Sequence, residues 1–199
     1  MKKKNALIYA VVALLTLTVI LILTSTRESV PEQDPELISL HREYLFESVE
    51  NYKTEEGEEE NTITNKNIGV FFNTPVDWKI IKEETEEQVI RVTSPCYTEA
   101  EFSFEGCELY FLSFQEKEYA HHLQDLLKSV LEGERGGDYS VFEENDFQGV
   151  LFEGEKEHIL RIAEEERVYE AGFRKGKNPP EDCLESFYKL ISSLHINYE

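Results

Sequence analysis

The chain contains few of the residues on which catalytic and metal centres depend. Its 199 residues include five histidines, three cysteines, one methionine and one tryptophan. It has no G-x-S-x-G motif, and the glycine-rich segment at residues 133–138 lacks the Lys-Ser/Thr ending of a phosphate-binding loop. The sequence therefore predicts neither an enzyme nor a cofactor site.

Basic residues are also scarce, with 20 lysines and arginines against 41 aspartates and glutamates and a formal net charge of −21. Nucleic acids and anionic lipid headgroups need a positive surface, so the acidity argues against both as partners of the main part of the chain. The glutamate runs at 55–60, 83–87 and 164–166 lack the ordered spacing of a calcium loop. We interpret the acidity as a source of solubility and predict no metal site.

Long hydrophobic runs are absent except near the N-terminus. Residues 6–24 are uncharged and rich in Leu, Val and Ile, and as a helix they would span about 28 Å, close to a bilayer core. The lysines at 2–4 predict that residues 1–5 are cytoplasmic and that the rest of the chain lies outside. A cleaved signal peptide is the alternative, although no A-x-A pattern follows the run. A lipid anchor would need a cysteine there, and none is present.

Residues 25–65 are expected to connect this anchor to an extracytoplasmic domain at 66–199. A polar spacer comes first, followed by an apolar stripe from Leu37 to Tyr52 that predicts a short amphipathic helix. Five glutamates within positions 55–60 repel one another and predict a mobile linker.

In the domain, short alternating segments between turn residues predict a mainly antiparallel sheet of about six or seven strands. Segment 107–115 is apolar on both faces and should be a central strand with a layer on each side. One helix is predicted near 118–133, and a closing helix should begin at an Asn178 N-cap, with Pro179 and Glu181 completing its first turn. The predicted fold class is α+β, a sheet flanked by helices.

The three cysteines leave the disulfide pattern open. Cys96 and Cys107 flank a segment that could fold back on itself and bring their sulfur atoms together. A bond between them and two free, buried thiols are both compatible with the sequence. Cys183 would be left over, and its place in the closing helix predicts a thiol in the core.

The single tryptophan follows a turn signal. Pro75 should end a strand and start a tight turn, after which Trp78 begins the next strand and covers the end of the core. Both residues are therefore predicted to be structural rather than parts of a binding site.

His121 and His122 are the only histidine pair. Neighbours on a helix point about 100 degrees apart and do not easily share a metal ion, because ligand pairs on a helix prefer spacings of three or four. His121 and Asp125 have the spacing of a ligand pair, but nothing in the sequence supplies two further ligands. We interpret His122 as a residue at the edge of the helix's apolar face, and His121 and Asp125 as partners in a solvent-facing hydrogen bond.

The order of elements resembles the PsbP/Mog1-like family of α/β/α sandwich proteins, over about residues 66–198. The residues that match the family's Y-P-x-x-W motif are Phe72, Pro75, Asp77 and Trp78. The helix near 118–133 and the closing helix also look like their counterparts in that family. The resemblance implies a sandwich fold and a role in binding or assembly.

We therefore expect a membrane-anchored, extracytoplasmic domain that binds a protein partner without a cofactor. A carrier or sensor of a small ligand in the cell envelope is one alternative. The other is a hydrolase or metal-dependent enzyme whose site gathers His121 or His122 with carboxylates only in three dimensions.

Overall fold

Thirteen strands and two α-helices form the part of the chain that the structure describes. The structure, a computed structural model, describes residues 44–101, 103–145 and 147–197. The strands are β1 (Leu45–Phe46), β2 (Lys53–Glu55), β3 (Glu60–Asn65), β4 (Val70–Pro75), β5 (Lys79–Glu83), β6 (Val89–Thr93), β7 (Thr98–Ala100), β8 (Ser103–Glu105), β9 (Cys107–Gln115), β10 (Tyr139–Glu144), β11 (Phe147–Glu153), β12 (Glu157–Glu164) and β13 (Arg167–Lys175). The helices are α1 (Lys117–Leu131) and α2 (Cys183–Ser193).

The predicted membrane helix at 6–24 and the spacer as far as residue 43 lie outside the described residues. Among the residues that are described, no helix combines the length and the apolar character needed to cross a membrane. The described residues belong to a compact unit that runs from Glu43 to Glu199.

Eight strands form one antiparallel sheet. Seven of them lie in the order β10-β11-β12-β13-β9-β6-β5. The eighth strand, β1, pairs with Phe114 and Gln115 of β9, on the same edge as β6, whose pairing with β9 extends only to Phe111. The prediction that segment 107–115 is a central strand is confirmed, since β9 pairs with β13 on one side and with β6 and β1 on the other.

One face of this sheet is covered by α2 and by a second sheet of β2, β3 and β4. Leu109 and Phe111 of β9 are buried in the core on this face. The ring of Phe111 packs against that of Phe72 in β4, with 4.8 Å between the ring centroids. The main core therefore lies between the large sheet and a mixed layer of one helix and three strands.

Helix α1 covers part of the opposite face. It packs on β10, β11, β12 and β13, and it buries Ala120 and Leu123 there with Val150 and Val168. The neighbouring part of the same face, on β9 and β6, forms the floor of the groove described below.

The predicted fold class is wrong. We expected a sheet of about six or seven strands flanked by helices, whereas the described residues form three sheets, the largest with eight strands. The second sheet supplies much of one covering layer, and the third is the β7–β8 hairpin. A sandwich covered only by helices does not describe this architecture.

Most of the difference arises from residues 53–65, which form β2 and β3 and are not a linker. Asn61, Ile63 and Asn65 are the buried residues of β3. The amide of Asn65 donates to Glu47 Oε1 at 3.1 Å, which satisfies its buried polar group. Because two of the three buried side chains are asparagines, the strand has no visible hydrophobic alternation.

The helix predicted to extend to Tyr52 is also wrong in its described part. The chain forms β1 and then a short 3₁₀ helix, Val49–Asn51, in which the Ser48 hydroxyl accepts from the Glu50 N–H at 3.3 Å. Val49 and Tyr52 are buried. The α-helix was predicted from spacings of three and four that ended with Tyr44, Ser48 and Tyr52, but the only helix in this part of the chain is a single 3₁₀ turn.

Elements with strong periodicity are confirmed, namely the β5–β6 hairpin, helix α1 and the four strands β10 to β13. The predicted start of the closing helix is wrong, because α2 begins at Cys183 with Asp182 as its N-cap. Asn178 lies ahead of the helix with a φ of 49°, so it does not cap a turn that contains Pro179 and Glu181.

The disulfide joins Cys107 to Cys183 across 76 positions of sequence. Segment 98–105 does fold back as the β7–β8 hairpin, but Cys96 is exposed and carries a free thiol. Both alternatives for Cys96 and Cys107, a bond between them and two free, buried thiols, are therefore wrong, and so is the predicted core thiol at Cys183. The reason is that α2 packs on β9 and brings its first residue to the start of that strand.

Pro75 ends β4, and the Trp78 N–H donates to the Pro75 carbonyl at 3.3 Å to close a turn before β5. Trp78 is 5% exposed and belongs to the main core. Its location fits a structural role.

Candidate binding groove

An open groove of about 1010 Å³ lies on the face of the large sheet beside α1. Its floor is made by the side chains of β9 at positions 108, 110, 112 and 114, which alternate with those in the main core. The β5–β6 turn and the β7–β8 hairpin supply further walls, and β1 supplies Phe46. The arrangement is that of a surface cleft rather than an enclosed cavity.

One end of the groove is an aromatic cluster. Its rings are Tyr44, Phe46, Phe114 and Tyr119. Phe114 is central, because its ring lies 5.2 Å from Tyr44, 5.4 Å from Phe46 and 5.6 Å from Tyr119 between centroids. Tyr44 is 39% exposed, so this cluster presents apolar surface to solvent. Clustered aromatic surface of this kind is typical of binding sites.

The middle of the groove holds a buried carboxylate between two arginines. The side chain of Glu108 is only 4% exposed. Arg91 Nη2 lies 2.6 Å from Glu108 Oε2, and Arg174 Nη1 lies 3.2 Å from Glu108 Oε1. Arg91 Nη1 also pairs with Glu83 Oε1 at 2.5 Å, and Arg91 donates to the Tyr97 hydroxyl. The buried charge is thus fully compensated, as a stable interior ion pair requires.

Tyr110 connects this ionic network to β13. Its hydroxyl donates to Glu170 Oε1 at 3.0 Å, and Arg161 Nε donates to the other oxygen of that carboxylate at 2.7 Å. The guanidinium of Arg174 lies 4.8 Å from the centre of the Tyr110 ring. A Cβ atom at Gly172 would lie 2.1 Å from this ring, so glycine is needed for the ring to lie flat on β13.

Two groups of this network, Arg91 and Tyr110, have raised pKa values. Burial alone would lower the pKa of Arg91, but hydrogen bonds and negative charge from Glu83 and Glu108 outweigh burial and raise the pKa. Burial and the charge of Glu170 both raise the pKa of Tyr110. Arg91 therefore stays charged and the Tyr110 phenol stays neutral over the physiological range.

Six tyrosines have raised pKa values in the folded protein, and four of these have large shifts. Burial is the largest cause of the raised pKa of Tyr52, Tyr110, Tyr169 and Tyr188, and the pKa rises to about 12 for Tyr169 and Tyr188. Because the folded pKa values lie above the unfolded value of about 10, the stability that these groups contribute is present below about pH 10. That stability is lost as the pH rises through the folded values.

The near-ultraviolet absorbance of tyrosinate, followed as the pH is raised, measures the ionisation of these tyrosines directly. The chain has ten tyrosines. In the native protein we expect some of them to ionise well above pH 10, whereas in urea all of them should ionise in a single transition near pH 10. The unfolding midpoint should fall over the same alkaline range. Superimposable native and unfolded titrations would contradict the burial of these hydroxyls.

The sequence-derived metal candidates are not joined by further ligands among the described residues. His121 and His122 are exposed on α1, as is Asp125, and none of them lines the groove. The described residues contain no group of three or more His, Cys, Asp or Glu side chains arranged to hold a metal ion. The histidines therefore offer no site for the hydrolase or metal-enzyme alternative in this part of the chain.

The groove itself was missed by sequence reasoning. Segment 107–115 was expected to be covered on both faces, and all of its side chains except Gln115 are buried, but the sequence did not show that a cleft opens above this strand beside α1. One signal was present: Glu108 interrupts an otherwise apolar alternation on one face of that strand, and a buried glutamate needs a cationic partner. The sequence did not identify Arg91 and Arg174 as those partners.

Comparisons with known proteins add little to this picture. Neither a family model nor a characterised protein matches the chain. A crystal structure of a protein from Bacteroides thetaiotaomicron is similar at 16% identity with a TM-score of 0.41. The match covers 66% of this chain and 46% of that protein, so this chain spans less than half the length of the other. The resemblance to the PsbP/Mog1-like family stays a prediction.

Proposed function

We propose that this protein is a binding module of the cell envelope, tethered to the membrane by residues 6–24, and that its groove receives a partner protein. The observation that carries the proposal is the cleft on the face of the large sheet beside α1, where seven aromatic rings line an open groove of about 1010 Å³. Aromatic residues are enriched in protein interfaces because they bury a large area at a small entropic cost.

The paired charges also favour binding. Arg91 and Glu108 are held by several hydrogen bonds on neighbouring strands, so the groove floor is organised before a partner arrives. A preorganised surface loses less conformational entropy on association. The openness of the groove suits a polypeptide more than a small molecule, which usually needs a site that encloses most of its surface.

Site-specific photo-cross-linking in the native membrane tests this function. A photo-cross-linking amino acid replaces Thr85, an exposed residue in the groove wall, in the full-length protein. The matched control carries it in place of Glu155, an exposed turn residue outside the groove. We expect a discrete protein adduct from position 85 alone, and we expect Tyr44→Ala to weaken it.

The second variant separates binding from folding. Tyr44 is 39% exposed, so its loss should change the unfolding midpoint little while removing part of the aromatic cluster. Equal adducts from positions 85 and 155, or an adduct indifferent to Tyr44→Ala, would contradict a partner seated in the groove.

A further inference from the structure

The shape of the groove fits an extended polypeptide. Its floor follows β9 from Glu108 to Phe114, six residue steps that cover about 20 Å at about 3.3 Å per residue. An extended segment of similar length would lie along this floor, and its alternate side chains would face it. A compact small molecule would use only part of that length.

The charges of the groove select the kind of segment. Its lining contains six glutamates but only two arginines. Both arginines already pair with carboxylates of the groove, Arg91 with Glu83 and Glu108 and Arg174 with Glu108. The groove is therefore an acidic surface with its positive charges neutralised internally, and it complements a positive ligand.

Three of the carboxylates have no ion pair among the described residues. Glu86 and Glu87 lie in the β5–β6 turn, and Glu99 lies on β7. The β5–β6 turn is next to the β1 end of the groove, since Gln88 accepts from the Val49 N–H at 3.2 Å. Glu99 is at the other end of the groove, near Tyr97. The hydroxyl of Tyr97 accepts a hydrogen bond from Arg91, which belongs to the central ionic network. Unpaired negative charge thus lies at both ends of the floor.

Aromatic rings lie beside these carboxylates. The cluster around Phe114 is at the end marked by Glu86 and Glu87, and Tyr97 packs against Phe104 at 5.4 Å at the end marked by Glu99. Lysine and arginine side chains bind well between a carboxylate and an aromatic face, because the ring adds a cation–π attraction to the ion pair.

We infer that the groove binds an extended, positively charged segment of the partner, with lysine or arginine near each end and apolar side chains between them. The inference rests on the proposed function and adds the chemistry of the partner. The apolar side chains pack on the accessible rings of the aromatic cluster, Tyr44, Phe46 and Tyr119, while the cations meet Glu86, Glu87 and Glu99.

A synthetic peptide tests this chemistry. The probe is fluorescein-labelled Lys-Lys-Leu-Ser-Phe-Ser-Lys, and its binding to the full-length protein in uncharged detergent is followed by fluorescence anisotropy. Matched peptides carry Gln or Glu at every Lys position. We expect the Lys peptide to bind, with an affinity that falls as salt is raised, and the other two to bind at least about tenfold more weakly.

The protein variants are matched in charge. The triple variant Glu86→Gln, Glu87→Gln, Glu99→Gln should bind the Lys peptide about tenfold more weakly, because exposed ion pairs each contribute a small increment and the increments add up. The control combines Glu155→Gln, Glu157→Gln and Glu181→Gln, three exposed acids outside the groove, and changes net charge equally. Its affinity should stay within about twofold of the unmodified protein.

Each other outcome overturns the inference. Equal weakening by both triple variants would mean diffuse attraction by net charge, and equal binding of the Gln peptide would mean that charge is not recognised. Tighter binding of the Glu peptide would instead assign the groove to an anionic partner at Arg174. If the Lys peptide fails to bind while the Thr85 cross-link forms, the proposed function stands and this partner chemistry falls.

Discussion

Loss of the Cys107–Cys183 disulfide should lower the free energy of unfolding by about 4 kcal/mol. The bond spans 76 positions, and closing so long a loop removes much of the entropy of the unfolded chain. Both residues are at most 3% exposed, and the bond fixes the first residue of α2 to the first residue of β9. No other disulfide exists among the described residues, so the whole effect belongs to this one.

Urea unfolding of the Cys107→Ala/Cys183→Ala variant measures the loss. Cys96→Ser serves as the background in both proteins, because a free thiol at position 96 could exchange with the bond once the chain unfolds. By itself, Cys96→Ser should change stability by less than about 0.5 kcal/mol, as exposed substitutions usually do. A loss below about 1 kcal/mol in the double variant would contradict the stabilising role given to the bond.

Trp78→Ala should cost about 3 to 5 kcal/mol. The side chain is 5% exposed within the main core, and its removal would leave a cavity between the β4–β5 turn and the large sheet. The matched control is Val76→Ala in the same turn, where the side chain is 44% exposed and the expected change is within about 0.5 kcal/mol.

The same urea titration provides the measurement. A loss below about 1 kcal/mol for Trp78→Ala would mean that the ring adds little to the core and is available for another role. A large loss for Val76→Ala would instead show that the turn itself is sensitive to any substitution.

The local periodicity of apolar residues was sufficient to predict many elements of the fold. Val89, Ile90 and Val92 carry the β-branched pattern of β6, and Leu123 with its neighbours carries the helical stripe of α1. Both patterns arise from contacts within one segment, so one segment was enough to find them.

Elements held by buried polar groups could not be found in this way. In β3, the buried side chains of Asn61 and Asn65 donate hydrogen bonds from their amide nitrogens to partners that come from other parts of the chain. The disulfide could not be predicted for a similar reason. Nearness in sequence suggested Cys96 as a partner of Cys107, whereas the packing of α2 on β9 places Cys183 next to Cys107.

The groove depends on three-dimensional placement even more strongly. Its central ion pairs join β6, β9 and β13, whose order in the sheet follows from the topology and not from any motif. It opens beside α1, whose main contacts are with β10 to β13. Side chains that are far apart in sequence, such as Arg91 and Arg174, become neighbours only through that arrangement.

The most direct test of the account is the yield of cross-linked partner from position 85 compared with position 155, measured in the native membrane with and without excess Lys peptide. The account predicts a discrete adduct at position 85 that the peptide displaces, and no adduct at position 155. An adduct at position 85 that persists unchanged while the peptide is bound, or equal yields at the two positions, would contradict a partner held in the groove.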